Sequence, residues 1–272
     1  MLEQDADVSV TATSGPDDLV AALARHRDVD RIVLLGGDGS LHALVQALYD
    51  GARTGLAVAL VPAGTGNDFA RTLDIPQDHI DAARIAVKGE VQELDLAVTG
   101  DGSVVVNAAH IGVGADAAAA GAPLKRFLGP LGYAAGAVIA GFSRRGVMLE
   151  VRVDGEVVST GEPVLQVAAG IGRFVGGGTE LLPKADPSDG LLDIAISTAT
   201  SPLRRLSYAW QLRKGVHRHR HDVRYVQGRE VTVRGAATRA TTDGELGEPS
   251  EEHSWHLLAG AWRFVAPASD HK

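Results

Sequence analysis

Two short stretches rich in glycine and aspartate hold the residues best suited to chemistry. Residues 36–40 read Gly-Gly-Asp-Gly-Ser, and residues 64–69 read Gly-Thr-Gly-Asn-Asp-Phe. Glycines let backbone N–H groups approach phosphate oxygens closely. The carboxylates of Asp38 and Asp68 would repel phosphate unless a cation lay between them. The pattern therefore indicates phosphate binding with a divalent metal, for which Mg²⁺ is the simplest choice.

Each stretch taken alone is also typical of an ordinary tight turn. Neither is a P-loop, since no Gly-Lys-Ser/Thr ending follows, and neither matches the G-x-G-x-x-G fingerprint. Two such stretches after consecutive apolar runs favour phosphate binding over a purely structural turn. A nucleotide must then be held differently from the way P-loops and G-x-G-x-x-G loops hold one.

The flanking residues predict the elements that position these loops. Residues 31–35, aliphatic after Arg31, and residues 56–61, which are apolar, read as strands covered on both faces. Ser40 is the expected N-cap of a helix. The apolar face of that helix comprises Leu41, Leu44, Val45 and Leu48. Two strand–helix units in succession predict a parallel sheet, with both loops at the edge where open α/β sheets bind ligands.

The period of the apolar pattern changes near residue 90. Before it, a helix beginning at Pro16 precedes the two strand–helix units. After it, turn residues at 100–102, 154–155 and 228–229 separate short valine-rich runs, which predicts hairpins. We therefore expect an α/β domain over residues 1–92, joined by the tail at about 260–272, and an antiparallel β domain over residues 93–259.

These motifs resemble the diacylglycerol kinase catalytic domain family, in its soluble bacterial lipid kinase branch. The family's Gly-Gly-Asp-Gly-Thr and Gly-Thr-x-Asn-Asp-Phe hallmarks correspond to residues 36–40 and 64–69. Residues 107–116, 176–193 and 242–245 are similar to later family segments in the same order. The resemblance spans roughly residues 13–267. It implies an α/β Rossmann-like nucleotide-binding domain, an antiparallel β-sandwich domain and an active site in the cleft between them.

The resemblance also implies a role for each motif residue. The family's Asp-Gly-Glu maps to 243–245, so that Glu245 is the proton acceptor and Asp243 orders nearby water and metal. The carboxylate of Asp189, with the backbone carbonyls of Asp186 and Leu191, resembles the family's magnesium site and suits a hard cation. The expected nucleotide contacts are Gly37, Asp38, Gly39, Ser40, Gly64, Thr65, Asn67 and Asp68, with Thr13 at the end of a preceding strand as a weaker candidate.

The sequence departs from the family pattern at two places. Ser40 stands where the family has threonine, which retains the hydroxyl. The family's usual opening strand and its Asn-Pro-x-Ser-Gly loop have no counterpart in the residues before Arg31. We expect either an in-frame continuation upstream of Met1 or a nucleotide held by fewer contacts.

Composition narrows the class of protein. The 272 residues are 45% hydrophobic and 22% charged, enough for one large core or two smaller ones. There is no cysteine, which excludes disulfides and thiolate chemistry. The net charge of −8 disfavours a general nucleic-acid binder, and no signal-peptide pattern opens the chain. We expect a cytoplasmic protein that associates peripherally with membranes.

The expected membrane contact is the basic segment 202–224. It carries seven Arg or Lys residues against one acid, Asp222, with apolar and aromatic residues between them. The alternative is a solvated helix packed by its apolar side, with Tyr208 and Trp210 in the core. His217, His219 and His221 alternate with arginines, whose charge disfavours a metal site there.

Residues 115–146 are rich in alanine and glycine, and their nearly uncharged part, residues 131–142, is too short and too rich in glycine to span a bilayer, which takes about 20 apolar residues. We expect helices that line an apolar substrate pocket, with an ordinary core helix as the alternative. The leading hypothesis is an ATP- and Mg²⁺-dependent kinase that converts diacylglycerol or a related lipid to phosphatidic acid or its analogue. The alternatives are a kinase for a soluble acceptor, such as NAD kinase, and a non-catalytic nucleotide-binding regulatory protein. A homodimer is expected by resemblance alone.

Overall fold

The computed structural model describes residues 7–112, 146–159 and 161–268. An α/β part comes first in the chain and a β-sandwich follows, which is the predicted fold class. The predicted substrate-pocket segment at 115–146 lies almost entirely outside the described residues. In the part of the chain that the structure describes, no helix is long and apolar enough to cross a membrane.

Within the described residues, the α/β part contains two parallel strands and four helices. Its elements are α1 Pro16–Arg25, β1 Arg31–Gly36, α2 Asp38–Asp50, β2 Ala57–Pro62, α3 Asp68–Thr72 and α4 His79–Lys88. β1 and β2 run parallel, from the pair Arg31 and Ala57 to the pair Gly36 and Pro62. The predicted apolar face of α2 is buried, and α1 begins at Pro16 as predicted.

Three local predictions in this part were wrong. β1 is covered on one face only: Ile32 and Leu34 pack on the core, whereas Val33 and Leu35 are 38% and 68% exposed. No described element covers that second face, and β1 is the end strand of its sheet. Ser40 is not an N-cap, because Gly37 is extended and α2 already begins at Asp38. Thr13 lies in exposed chain before α1 rather than at the end of a strand.

The second part consists mainly of short strands. These are β3 Glu90–Thr99, β4 Val104–Val105, β5 Ala108–Gly112, β6 Leu149–Val153, β7 Glu156–Val157, β8 Gln166–Gly170, β9 Phe174–Val175, β10 Thr179–Glu180, β11 Leu192–Ser197, β12 Val223–Gly228, β13 Glu230–Thr238, β14 Ala240–Thr242, β15 Glu245–Leu246 and β16 Ser250–Ala266. Between β11 and β12 lie helix α5, Pro202–Arg213, and a 3₁₀ turn at His217–His219.

Two sheets form the sandwich. One runs in the order β1-β2-β16-β13-β6-β7, with β3 paired to β16 and β4, and the other in the order β12-β11-β8-β5-β14-β15. Buried residues of both sheets share one core, among them Val151 and Trp255 from the first and Val167 and Ile194 from the second. Hairpins form at 100–102 and 154–155 as predicted. Residues 228–229 instead join β12 to β13 in different sheets, so that hairpin prediction was wrong.

Strand β16 ties the two parts together. Its first half pairs with β13, and at Arg263 and Phe264 it pairs in parallel with β2. Its aromatic residues pack on α3, where the ring centroids of Phe69 and Phe264 are 5.8 Å apart. The predicted domain boundaries near residues 92 and 260 fall inside β3 and β16. The α/β loops are thus fixed against the sandwich by a strand that the two share.

Candidate active site

The two glycine loops touch each other at the edge of the parallel strand pair. The N–H of Ala63 donates to the carbonyl of Gly36 at 2.8 Å. A Cβ placed on Gly37 would lie 2.9 Å from the Cα of Gly64, and one placed on Gly64 would lie 2.7 Å from the Cα of Gly37. Real Cβ atoms essentially never come so close to backbone, so both positions require glycine for close packing of the loops.

This close approach gives a direct test of the loops. If the loops bind ATP, we expect Gly64→Ala to push them apart and to lower ATP affinity by about tenfold or more, since a displaced backbone N–H would no longer reach a phosphate oxygen. Isothermal titration with an ATP analogue measures the affinity. Gly55→Ala is the matched control, because a Cβ there meets nothing within 4 Å. Equal affinities for the two variants would contradict a role for this contact in nucleotide binding.

Asp68 connects the second glycine loop to the β-sandwich. Its side chain accepts hydrogen bonds from the N–H groups of Gly177 and Gly178, at 2.9 Å to Oδ2 and 2.7 Å to Oδ1. These glycines have φ of 85° and 107° in the turn between β9 and β10. The sequence pointed to Asp68 and, through the resemblance, to segment 176–193, but not to the hydrogen bonds between them, which join residues more than 100 positions apart.

Two carboxylates converge on the second loop. Asp38 accepts the N–H of Phe69 at 3.1 Å, and a Cβ on Gly66 would lie 2.9 Å from its Oδ2 and 3.4 Å from Oδ2 of Asp68. Burial raises the pKa of Asp68, the negative charge of Asp38 raises it further, and the glycine N–H donors oppose the shift. A cation near this pair would relieve the repulsion, so the donor set fits a divalent metal with bound phosphate.

Other predicted nucleotide residues divide into two groups. Asn67 is left-handed, with φ of 51°, and its amide exchanges two hydrogen bonds with the backbone of Gly64, at 2.9 and 3.0 Å. Asn67 therefore shapes the loop. Thr65, Gly39 and Ser40 are exposed at the loops, where the two hydroxyls are accessible to a ligand.

The predicted catalytic turn lies between β14 and β15. The side chain of Asp243 is 3% exposed, and its carboxylate accepts the N–H groups of Val106, Asn107 and Ala108 at 2.7, 2.9 and 3.0 Å. Asp243 is thus occupied by protein donors, and we treat it as a positioning residue. Glu245, two residues on, is exposed and accessible to a reactant.

His42 joins this turn to the first glycine loop. It lies on α2, one helical turn after Asp38, and its Nδ1 is 2.9 Å from Oδ2 of Asp243. Sequence reasoning missed His42, because nothing local pairs it with a residue 201 positions away. This contact brings the helix of the first loop and the turn that carries Glu245 together.

The pair of His42 and Asp243 predicts a pH dependence. The hydrogen bond to Asp243 raises the pKa of His42; burial opposes this shift, and the charges of Asp243 and Glu245 add to it. A folded-state pKa above the unfolded value of about 6.5 gives stabilisation that is complete below that pH and lost as the pH rises through the folded pKa. We therefore expect His42→Gln to cost more stability at about pH 6 than at about pH 9.

Urea unfolding at a series of pH values measures this difference. His256→Gln, a change at an exposed histidine on β16, is the control and is measured at the same pH values. A stability difference between wild type and His42→Gln that does not vary with pH would contradict the charged pair.

The predicted metal-binding turn, residues 186–191, is held rigidly. Oδ1 of Asp189 accepts the N–H of Leu191 at 2.9 Å, and Oδ1 of Asp186 accepts the N–H of Ser188 at 2.9 Å. Burial raises the pKa of Asp189, and the charges of Asp186 and Asp95 raise it further. An oxygen-only set with excess negative charge fits a hard cation. Among the described residues no three His, Asp or Glu side chains form a metal site, whereas the predicted set uses one carboxylate and two carbonyls.

Asp95 was missed by the sequence prediction. It is 2% exposed on β3, and its carboxylate accepts the N–H groups of Gly190 and Gly260 at 2.7 and 2.8 Å. Its own N–H donates to the carbonyl of Pro187 at 2.7 Å. The available signal was an aspartate between two buried leucines, because a buried carboxylate must find donors. Asp95 anchors the predicted metal turn.

Comparison with protein families gives two matches in chain order. Residues 1–99 match the diacylglycerol kinase catalytic domain, and residues 107–254 match the YegS C-terminal NAD kinase beta sandwich-like domain. A protein of Pectobacterium atrosepticum named "Probable lipid kinase YegS-like" is 32% identical over 187 residues, covering 66% of this chain and 60% of that protein. A protein of Salmonella typhimurium named "Probable lipid kinase YegS" is 33% identical over 204 residues, covering 73% of this chain and 67% of that protein. The matched region thus spans about two thirds or less of these relatives.

Solved structures share the fold. A diacylglycerol kinase from Bacillus anthracis str. Sterne has a TM-score of 0.69 at 21% identity, covering 94% of this chain and 84% of that one. A second structure from the same strain has a TM-score of 0.76 at 24% identity, covering 94% and 85%. At these identities the likeness concerns the fold alone.

Proposed function

Because the chain belongs to the family defined by the diacylglycerol kinase catalytic domain and the YegS C-terminal domain, we propose that it is an ATP-dependent lipid kinase. Its acceptor is the hydroxyl of diacylglycerol or a related lipid, and its product is phosphatidic acid or the analogue. The contact between His42 and Asp243, at 2.9 Å, carries the proposal. It brings the helix of a phosphate loop against the turn that carries an exposed carboxylate.

The reaction needs alignment and charge neutralisation more than covalent help from the protein. The lipid hydroxyl oxygen forms a bond to the γ-phosphorus of ATP, the bond from that phosphorus to the β–γ bridging oxygen breaks, and ADP leaves. The hydroxyl proton passes to the carboxylate of Glu245, whose exposure allows it to reach the acceptor.

The loops account for nucleotide binding. The first N–H groups of α2, which begins at Asp38, have no acceptor within the helix and suit phosphate oxygens. Thr65 and Ser40 add hydroxyl donors, and Asn67 keeps the second loop in shape. These residues orient the terminal phosphate towards Glu245.

Mg²⁺ fits two groups of residues. Asp38 and Asp68 would hold it with the nucleotide phosphates, and Asp189 with the carbonyls of Asp186 and Leu191 would hold it in the turn. When bound, the ion neutralises negative charge on the phosphates and on these carboxylates. The neighbouring negative charges, Asp38 beside Asp68 and Asp186 and Asp95 beside Asp189, support both assignments.

A phosphoryl-transfer assay tests the function. The protein is incubated with γ-labelled ATP, Mg²⁺ and mixed micelles that contain one lipid at a time from a panel of hydroxyl-bearing lipids. Labelled phosphatidic acid or a phosphorylated analogue is the expected product. Transfer to NAD but to no lipid would replace this proposal by a soluble-acceptor kinase. Tight ATP binding without transfer to any acceptor would favour a regulatory protein.

A further inference from the structure

The outward face of helix α5 is apolar. Leu203, Leu206 and Trp210 are 82%, 61% and 58% exposed. Their spacing of three and four residues places them on one side of the helix. Tyr208 occupies the opposite side, where it is 5% exposed and donates its hydroxyl to Gln166 at 2.9 Å. The helix is thus fixed by its inner side, and the alternative that Trp210 belongs to the core was wrong, whereas it holds for Tyr208.

Basic side chains border this apolar face. Arg204, Arg213 and Lys214 are exposed, and Nζ of Lys214 lies 3.9 Å from the centroid of the Trp210 ring. Segment 202–224 carries seven Arg or Lys residues in a chain whose net charge is −8. Its one acid, Asp222, is paired with Arg220 at 2.6 Å. The segment that contains α5 therefore carries a strongly positive net charge.

We propose that this face of α5 docks on an anionic membrane surface. Leu203, Leu206 and Trp210 enter the boundary between head groups and acyl chains, and Arg204, Arg213 and Lys214 contact anionic head groups. Apolar side chains alone fit any apolar partner, but a cationic border on an acidic protein selects a negatively charged surface. Membrane binding of this kind weakens with added salt, because the head-group attraction is screened.

The docking face is connected to the candidate active site. Directly after α5, Gly215 lies against Glu180 of β10, where a Cβ on the glycine would overlap the carboxylate. β10 and β9 form the hairpin whose turn holds Gly177 and Gly178 against Asp68. One hairpin thus separates the docking face from the second glycine loop. If the protein is the proposed lipid kinase, this face is the surface on which it meets its acceptor. Membrane binding itself does not rest on that proposed function.

Vesicle binding without ATP tests the inference independently of catalysis. The full chain is mixed with vesicles of phosphatidylcholine alone, or with about 30% phosphatidylserine added. We expect sedimentation with the anionic vesicles, little with the neutral ones, and release by salt. Trp210 reports directly, since Trp255 and Trp262 are each 2% exposed. Its emission should shift to the blue on binding and lose this response in Trp210→Phe.

Matched variants separate the apolar and charged contributions. Leu206→Ser with Trp210→Ser should lower the partition coefficient by about tenfold or more, whereas Val20→Ser with Ile80→Ser, two residues each 53% exposed on other helices, should not. Arg213→Glu with Lys214→Glu should weaken binding and its salt dependence more than Arg25→Glu with Arg27→Glu, which changes the net charge equally.

Circular dichroism checks that each variant is folded. Equal binding to neutral and anionic vesicles, or unchanged binding of the α5 variants, would overturn the proposal. So would a wild-type dimer in sedimentation equilibrium that Leu206→Ser with Trp210→Ser dissociates, because a second copy would then cover the face.

Discussion

Glu245→Gln is expected to lower the rate of lipid phosphorylation by about 10²–10⁴-fold, the range over which a positioned general base contributes. The change removes one charge and keeps the size of the side chain. Because Glu245 is exposed in β15, it is not expected to disturb the core or the glycine loops. ATP affinity should therefore change little while the rate of transfer falls.

The matched control lies three residues away. The side chain of Glu248 is 90% exposed, and its Oε2 lies 3.5 Å from Nη1 of Arg239. Glu248→Gln therefore also removes one surface carboxylate from the same part of the chain. It should retain nearly full activity. Rates are compared in the phosphoryl-transfer assay, and ATP affinity by titration. If Glu245→Gln and Glu248→Gln were equally active, Glu245 would not be the base.

Helices α1 and α2 and strand β2 were predictable because the sequence signals for them are local. The apolar faces of α2 and β2 follow from residue spacing, and Pro16 marks the start of α1. β1 was only half right, since periodicity shows that a run is apolar but not whether another element covers its second face. The hairpin expected at 228–229 failed for a related reason. A turn fixes the change in chain direction, whereas the choice of sheet depends on partners far away in sequence.

The candidate site divides in the same way. The glycines and carboxylates of the two loops could be selected from residue type and spacing, whereas Glu245 was identified only through the family resemblance. The contacts of His42, of Asp95 and of the glycine N–H groups that hold Asp68 could not be predicted, because each joins residues more than 90 positions apart. These partners explain how the loops and the candidate catalytic turn are held together. Residue type gives the chemistry of a site, and long-range hydrogen bonds give its geometry.

The largest loss of stability is expected from Asp243→Ala. Its carboxylate accepts three backbone N–H groups, from Val106, Asn107 and Ala108, each residue being 7% exposed or less. A buried donor left without a partner costs about 1–3 kcal/mol, so we expect a loss of about 3 kcal/mol or more in the free energy of unfolding. The φ of 48° at this position adds to the cost, because aspartate tolerates left-handed backbone better than alanine does.

Asp154→Ala is a control with the same local geometry. Asp154 has φ of 49° in the turn between β6 and β7, and its carboxylate accepts the N–H groups of Arg229 and Glu230 at 2.8 and 2.9 Å. Because Asp154 is exposed, water can replace its carboxylate, and the loss should be near 1 kcal/mol, mostly from backbone strain. Urea unfolding of both variants isolates the effect of burial. Equal losses would mean that the backbone conformation, rather than the buried carboxylate, sustains the turn that presents Glu245.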